Sequence, residues 1–179
     1  MIEEKVILVN ESDEPIGLMP KLEAHEKALL HRAFSVFIFD PAGRLLLQRR
    51  ASAKYHSGGL WSNTCCGHPR PGEDRRDAAR RRLKEEMGIE CLLAEAFSFI
   101  YRAALPGGLT EHEYDYVFFG SHDGEPVLDS AEAQDWKWMD LERLRADLQA
   151  SPHAYTFWLA ACLDRVIDQR RSPLHLARP

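Results

Sequence analysis

Residues able to do chemistry crowd into one run, TCCGHPRPGE, from Thr64 to Glu73. It sets the adjacent Cys65 and Cys66 against Gly67, His68 and Pro69, and closes on a carboxylate. A free thiol, with an ordinary pKa of about 8.5, is protonated at neutral pH and can donate. Two more histidines, His25 and His31, bracket EKALL just before an apolar stretch, RAFSVFIF. Two carboxylates, Glu111 and Glu113, are one residue apart, so on a strand both face the same way. With His68 these make three imidazoles and two carboxylates, a donor set suited to a borderline or hard divalent ion: Zn²⁺, Mn²⁺ or Mg²⁺. Each residue alone also has a simpler reading. An isolated His is ordinary surface, an E-x-E pair is a solvated strand face, and a Cys pair is two small buried apolar residues.

A second pattern starts at Gly67. Glu73 follows after five residues and Arg81 after seven more, and then come Leu83, Glu85, Glu86, Gly88 and Ile89. This resembles the Nudix box, G-x5-E-x7-R-E-U-x-E-E-x-G-U, with U aliphatic. The resemblance implies a loop entering a helix whose carboxylates collect Mg²⁺ against a diphosphate. One position departs: the box has Glu where this chain has Arg82. Residues 82 and 86 lie one turn apart on the same helix face. Arginine cannot ligate a metal, but its guanidinium clamps phosphate. The site is therefore expected to hold a diphosphate rather than cut it. The remaining bases here, Arg75, Arg76, Arg80, Arg81 and Lys84, read as a solvated face.

The elements that must position these groups are legible in outline. Lys5 to Asn10 reads as a strand and NESDEPIG as a turn; Ala33 to Asp40 and Arg44 to Arg50 read as a hairpin around DPAG. ASAKYHSGGLWSN is a loop. A helix is expected from about Asp74 to Met87, with Ala79, Leu83 and Met87 as its apolar stripe and Gly88 as its C-cap. Ala96 to Tyr101, Glu113 to Gly120 and Asp135 to Met139 read as strands, the last by its alternating Trp136 and Trp138; HDGE is a turn. Leu141 to Ala150 and Tyr155 to Arg170 read as helices. The irregular mixture predicts an α/β (α+β) class, a mixed β-sheet sandwich flanked by helices, in one domain over residues 1–179.

Composition narrows the function. The chain has 179 residues, 45% apolar and 28% charged, with net charge -5, which speaks against a nucleic-acid binder. No apolar run is long enough to span a bilayer, and the acidic start MIEEK is unlike a signal peptide, so a cytoplasmic protein is expected. The four cysteines show no CxxC spacing and read as free thiols; Cys65, Cys91 and Cys162 are expected to be packing residues.

Taken together, AHEKALLHRAFSVFIF, GLWSNTCCGHP, the altered box, YRA, EHEYDYVF and YTFWLA occur in the order seen in type I isopentenyl-diphosphate isomerases, from around Val6 to around Trp158. That resemblance implies a 1,3-proton shift between isopentenyl and dimethylallyl diphosphate, through a tertiary carbocation. It implies Cys66 and Glu113 as the acid/base pair, Tyr101 as a hydroxyl near that carboxylate, and Trp158 as an aromatic wall. His25, His31, His68, Glu111 and Glu113 match the ligands of a six-coordinate divalent ion. Glu86 matches the residue that helps bind a second ion, Mg²⁺, bridging to the substrate diphosphate. Lys21, Arg50, Lys54 and Arg82 match basic diphosphate contacts. The partner implied is a small diphosphate, without nucleic acid or membrane, and the chain is expected to be a monomer. Two other readings are a Nudix hydrolase of a nucleoside diphosphate derivative and a non-catalytic Nudix binding domain.

Overall fold

The computed structural model describes residues 4–54 and 56–172. The chain opens with strands β1 (Lys5–Val9) and β2 (Pro15–Pro20) and a short helix, α1 (Lys21–Glu26). Next come β3 (His31–Phe39), β4 (Leu45–Arg50), the short β5 (Trp61–Ser62) and β6 (Cys65–Gly67), and then helix α2 (Arg75–Met87). Strands β7 (Ala94–Ala104), β8 (Thr110–Ser121) and β9 (Ala133–Met139) lead to α3 (Leu141–Ala150) and α4 (Phe157–Arg171).

β3 is the hub. It pairs in parallel with β8 along its whole length and antiparallel with β6 from Phe34 to Val36. It touches β1 at His31. β7 lies along the far edge of β8. After a single pair between Phe39 and Leu45, β4 leaves β3 and joins β9 and β5. Strand alternation then makes two cores. Odd-numbered Phe37, Phe39, Leu45, Leu47, Val117 and Phe119 pack with Leu159, Leu163 and Val166 of α4. Even-numbered Phe34, Val36, Ile38, Leu46 and Phe118 pack with Ala79, Leu83 and Met87, the expected stripe of α2. Each large apolar side chain buried this way contributes about 1.5–3 kcal/mol. The α+β class and the helix-flanked mixed sheet are as the sequence suggested.

α2 begins and ends where its sequence demands. The Asp74 side chain accepts from the N–H groups of Arg76 and Asp77, capping the helix. Gly88 closes it at φ 66, and a Cβ there would meet Val127 at 2.8 Å.

Several elements differ from the sequence reading. The turn after β1 is confined to Asn10–Glu14, where Asn10 Oδ1 accepts from the N–H of Ser12 and of Glu14; Pro15 to Gly17 already belong to β2. β2 is an edge strand with prolines at both ends and no fully buried face, so it lacks the alternation that marks a strand. α1 has six residues, too few to show a helical period. β7 and β8 run longer than expected. Tyr155 bridges to Trp61 instead of opening α4. The cysteines expected to pack do so: Cys65 and Cys162 are buried, and Cys91 is half-buried against the core under α2. No helix among the described residues is long and apolar enough to cross a membrane.

Candidate active site

Because β3 and β8 are parallel, their N-terminal ends lie side by side. The odd-numbered face that is apolar further along is polar here: His31, Ser35, Glu111, Glu113 and Asp115, all buried. Glu113 stands in register beside His31 on one side and Tyr101 on the other. The Tyr101 hydroxyl lies 2.6 Å from Glu113 Oε2 and 2.9 Å from Glu111 Oε2. Ser35 Oγ donates to Asp115 Oδ2 at 2.7 Å.

Register also separates the two adjacent cysteines. Cys66 pairs with Ser35 and so shares the polar face, where it packs on Tyr101, Ala103 and Trp158. Cys65 pairs with Val36 and points into the core under α2. Burial pushes the Cys66 thiol up, and Glu86, Glu113 and Glu111 add to the effect against the opposing charge of Arg50. Cys66 is therefore a protonated thiol at neutral pH.

His25 reaches the same place from α1 and His68 from just beyond β6. Donor atoms of His25, His31, His68 and Glu113 lie within 4.8 Å of one another, all buried. The His25 Nδ1–H donates to the Lys21 carbonyl at 2.6 Å, and the His31 Nδ1–H to the Leu29 carbonyl at 2.8 Å. Such backbone clamps are how ligating imidazoles are oriented. His68 Nε2 lies 3.0 Å from Glu113 Oε1. His31 Nε2 faces the same oxygen at 3.5 Å and has no hydrogen-bond partner among the described residues; nor has His68 Nδ1. Burial lowers His25, and lowers His68 to about 4, so both rings are neutral at pH 7. Burial would raise Glu113, but His31 and His68 outweigh it and hold its carboxyl well below the usual range. Burial, reinforced by the Glu113 charge, holds Glu111 well above it. Neutral imidazoles around an ionised carboxylate fit a divalent cation.

The five expected donors do not form one set. Glu111 groups instead with His25 and with His56, whose Nε2 is 3.5 Å from Glu111 Oε1. His56 lies in the loop before β5, where no spacing in the sequence marks it.

A cavity of about 810 Å³ opens in front of this cluster. Every expected site residue lines it except His25 and His31, which sit wholly buried behind its wall. Trp158, in the first turn of α4, is 3% exposed, and its indole N–H lies 3.0 Å from Ser62 Oγ and 3.1 Å from Asn63 Oδ1. The Arg50 guanidinium stands 5.2 Å from the centroid of that ring, and its buried Nε has no hydrogen-bond partner among the described residues. Lys21 pairs with Glu4 at 3.2 Å.

Arg82 and Glu86 share a helix face as expected, with Nη2 2.6 Å from Glu86 Oε1. The guanidinium is already heavily engaged: Nη2 also pairs with Glu132 at 3.0 Å and Nη1 with Glu85 at 2.7 Å. Glu132 holds Lys54 as well. Glu86 is raised by burial, although Arg82 and Gln48 oppose this; Gln48 Nε2 donates to its Oε2 at 2.9 Å. Glu132 and Gln48 could not be found from the sequence, because their partners lie far along the chain. A neutral thiol and an ionised carboxylate thus share one face of a pocket that Lys21, Arg50, Lys54 and Arg82 also line. That arrangement can move protons on a bound anion.

Comparison with known proteins supports the same reading. The NUDIX domain family matches residues 29–159. Isopentenyl-diphosphate Delta-isomerase 1 of Aromatoleum aromaticum is 63% identical over 169 residues, 94% of this chain and 96% of that one. Isopentenyl-diphosphate Delta-isomerase 2 of the same organism is 61% identical, over 94% of this chain and 89% of its own. The Burkholderia multivorans isopentenyl-diphosphate Delta-isomerase is 51% identical, over 92% and 93%. Among solved structures, a Deinococcus radiodurans protein superposes with TM-score 0.76 at 24% identity, over 90% of this chain and 98% of that one. A MutT protein from Methanosarcina mazei follows at TM-score 0.66 and 19% identity, over 80% and 96%. These two likenesses bear on the fold.

Proposed function

We infer the activity from membership: the chain belongs to the Nudix domain family and, within it, to the isopentenyl-diphosphate Delta-isomerases. It is an isomerase that interconverts isopentenyl diphosphate and dimethylallyl diphosphate. The observation that carries the residue assignment is the register of β6 on β3 and of β8 on β3, which turns Cys66 and Glu113 onto one face of one pocket beside Trp158.

In our reading the thiol of Cys66 delivers its proton to the terminal CH₂ of isopentenyl diphosphate. The alkene pair forms the new C–H bond and a tertiary cation remains. Glu113 then takes a proton from the neighbouring CH₂, and that C–H pair becomes the new double bond. Exchange with water returns the pair to thiol and carboxylate. Each group starts in the state its role needs, the thiol with its proton and the carboxylate without one. The Trp158 face lies against the cationic centre, a contact worth about 2 kcal/mol when desolvated. Tyr101 holds Glu113 by its hydroxyl. His25, His31, His68, Glu111 and Glu113 would hold a divalent ion, which would supply fixed positive charge to orient the carboxylate and tune its proton affinity, and Glu86 would hold Mg²⁺ to offset diphosphate charge. Lys21, Arg50, Lys54 and Arg82 bind the diphosphate. Four unpaired thiols agree with a reducing cytoplasm.

The test runs in D₂O with isopentenyl diphosphate and Mg²⁺. Proton NMR should show deuterium entering the methyl derived from the CH₂= end, while phosphorus NMR shows the diphosphate intact. Phosphate release without carbon-bound deuterium would instead establish a Nudix hydrolase.

A further inference from the structure

We propose that His56 is a sixth protein donor of the His/Glu metal centre, on the Glu111 side. The inference rests on the metal site proposed above and adds a residue to it. The donor atoms fall into two overlapping groups, His25 with His31, His68 and Glu113, and His25 with His56 and Glu111. His25 belongs to both. Its Nδ1–H is committed to the Lys21 carbonyl, so only Nε2 can ligate, and one nitrogen lone pair serves one ion. His25 therefore cannot serve two ions at once, and the two groups that share it read as two sides of one centre.

Donor spacing supports this. An ion bound at about 2.1 Å by mutually perpendicular donors sets neighbouring donor atoms about 3 Å apart. His68 Nε2 lies 3.0 Å from Glu113 Oε1, and His31 Nε2 lies 3.5 Å from it. His56 Nε2 lies 3.5 Å from Glu111 Oε1, the same spacing as His31, one of the expected ligands. An ion that takes Glu111 therefore has the His56 nitrogen at ligand spacing beside it.

The loop is built to hold that ring inward. His56 is only 9% exposed, and its ring stands 5.9 Å from that of His25 and edge-on to Trp158 at 6.0 Å. Its Nδ1 lies 3.3 Å from Ser57 Oγ, which orients Nε2 toward Glu111. Arg50 Nη2 donates to the His56 carbonyl at 3.4 Å. Ser57 is held at φ 51, a left-handed conformation that a non-glycine residue adopts at a cost and that recurs at functional sites. With six protein donors the ion has no open position. It acts on its ligands, not on the alkene, and four imidazoles shift its preference from Mg²⁺ toward Zn²⁺, Co²⁺ or Ni²⁺.

The experiment uses the full chain, stripped by a chelator and reloaded with Co²⁺. Proton NMR then counts strongly shifted exchangeable imidazole N–H signals, and chelator competition gives the metal affinity. Four signals are expected in the unmodified protein and three in His56→Phe, with affinity weaker by about 10- to 100-fold. Three signals in the unmodified protein, or unchanged affinity in the variant, overturns the role of His56 and leaves the metal centre standing. If the unmodified protein binds no Co²⁺, both fail. The unmodified protein's count decides the matter even if His56→Phe does not fold, and deuterium incorporation reports the isomerase activity separately.

Discussion

At the strand end of the pocket, imidazoles crowd two buried carboxyl groups, and His31 Nε2 has no hydrogen-bond partner among the described residues. At the helix end the charges are already neutralised. Arg82 is shared among Glu85, Glu86 and Glu132, Lys54 pairs with Glu132, and Arg81 pairs with Glu73 and Glu85. The first region is a group of donors that could hold a divalent cation. The second is paired within itself, and a diphosphate bound as proposed above would draw Lys54 and Arg82 away from carboxylates that already hold them. The departure from the box thus has two consequences: Arg82 stands where the box has a carboxylate, and it also pairs with the one that remains at Glu86.

The largest expected effect is at the strand end. Cys66→Ala and Glu113→Gln should each lower kcat by about 10²- to 10⁴-fold, the usual contribution of a positioned acid or base. Cys65→Ala should stay within a few-fold of the unmodified enzyme, because that side chain lies in the core under α2. Steady-state kinetics on the three variants would expose a register error at once: an inactive Cys65→Ala beside an active Cys66→Ala reverses the assignment.

Metal removal comes next. Exhaustive chelation should abolish turnover and lower the unfolding free energy. The loss is about 2.7 kcal/mol relative to protein with free ion at a hundred times its Kd. Restoring a divalent ion should recover both, read by activity and by chemical denaturation. Full activity after chelation, with metal content verified, would remove the distinction between the two ends.

A smaller change is expected at the helix end. Arg82→Ala should raise KM about tenfold, or about 1.4 kcal/mol, with kcat little altered, since a contact made equally to substrate and transition state acts on binding. Glu132→Gln should lower KM by releasing Lys54 and Arg82. A large fall in kcat for Arg82→Ala at constant KM would place it in the chemistry instead.

The smallest effect is on stability. Arg81 holds the Glu73 carboxyl below its usual range through hydrogen bonds of 2.7 and 2.8 Å. A depressed carboxyl stabilises the fold above the unfolded-state value of about 4.3, and that stability is lost as pH falls through the lower folded value. Glu73→Gln should therefore cost about 1 kcal/mol at pH 7, with the gap to the unmodified protein closing in acid. Urea unfolding across that range measures it, and a gap independent of pH would rule the pairing out as its source.

Much of this architecture is legible in the chain's local patterns. Asp74, the Ala79–Leu83–Met87 stripe and Gly88 define α2 because capping, periodicity and a left-handed terminus are local properties. α1 and β2 are not legible, one being too short for a period and the other lacking a buried face. The residue types of the site are legible too: three imidazoles and an E-x-E pair are a donor set that suits a divalent ion.

Residue order is enough to specify the α2 box with its exchanged Arg82, the alternating apolar strands, and the stock of donors, bases and thiols. Alternation says that neighbours in a strand face opposite ways. Which of them faces the pocket is a matter of tertiary pairing, because it depends on the strand lying alongside. Cys66 turns to the pocket because it pairs with Ser35, and Glu113 stands beside His31 because β8 runs parallel to β3 in that register. Glu111 meets His56, and Arg82 meets Glu132, across about 50 residues of intervening chain, where loop closure and packing set the partner and no local spacing can.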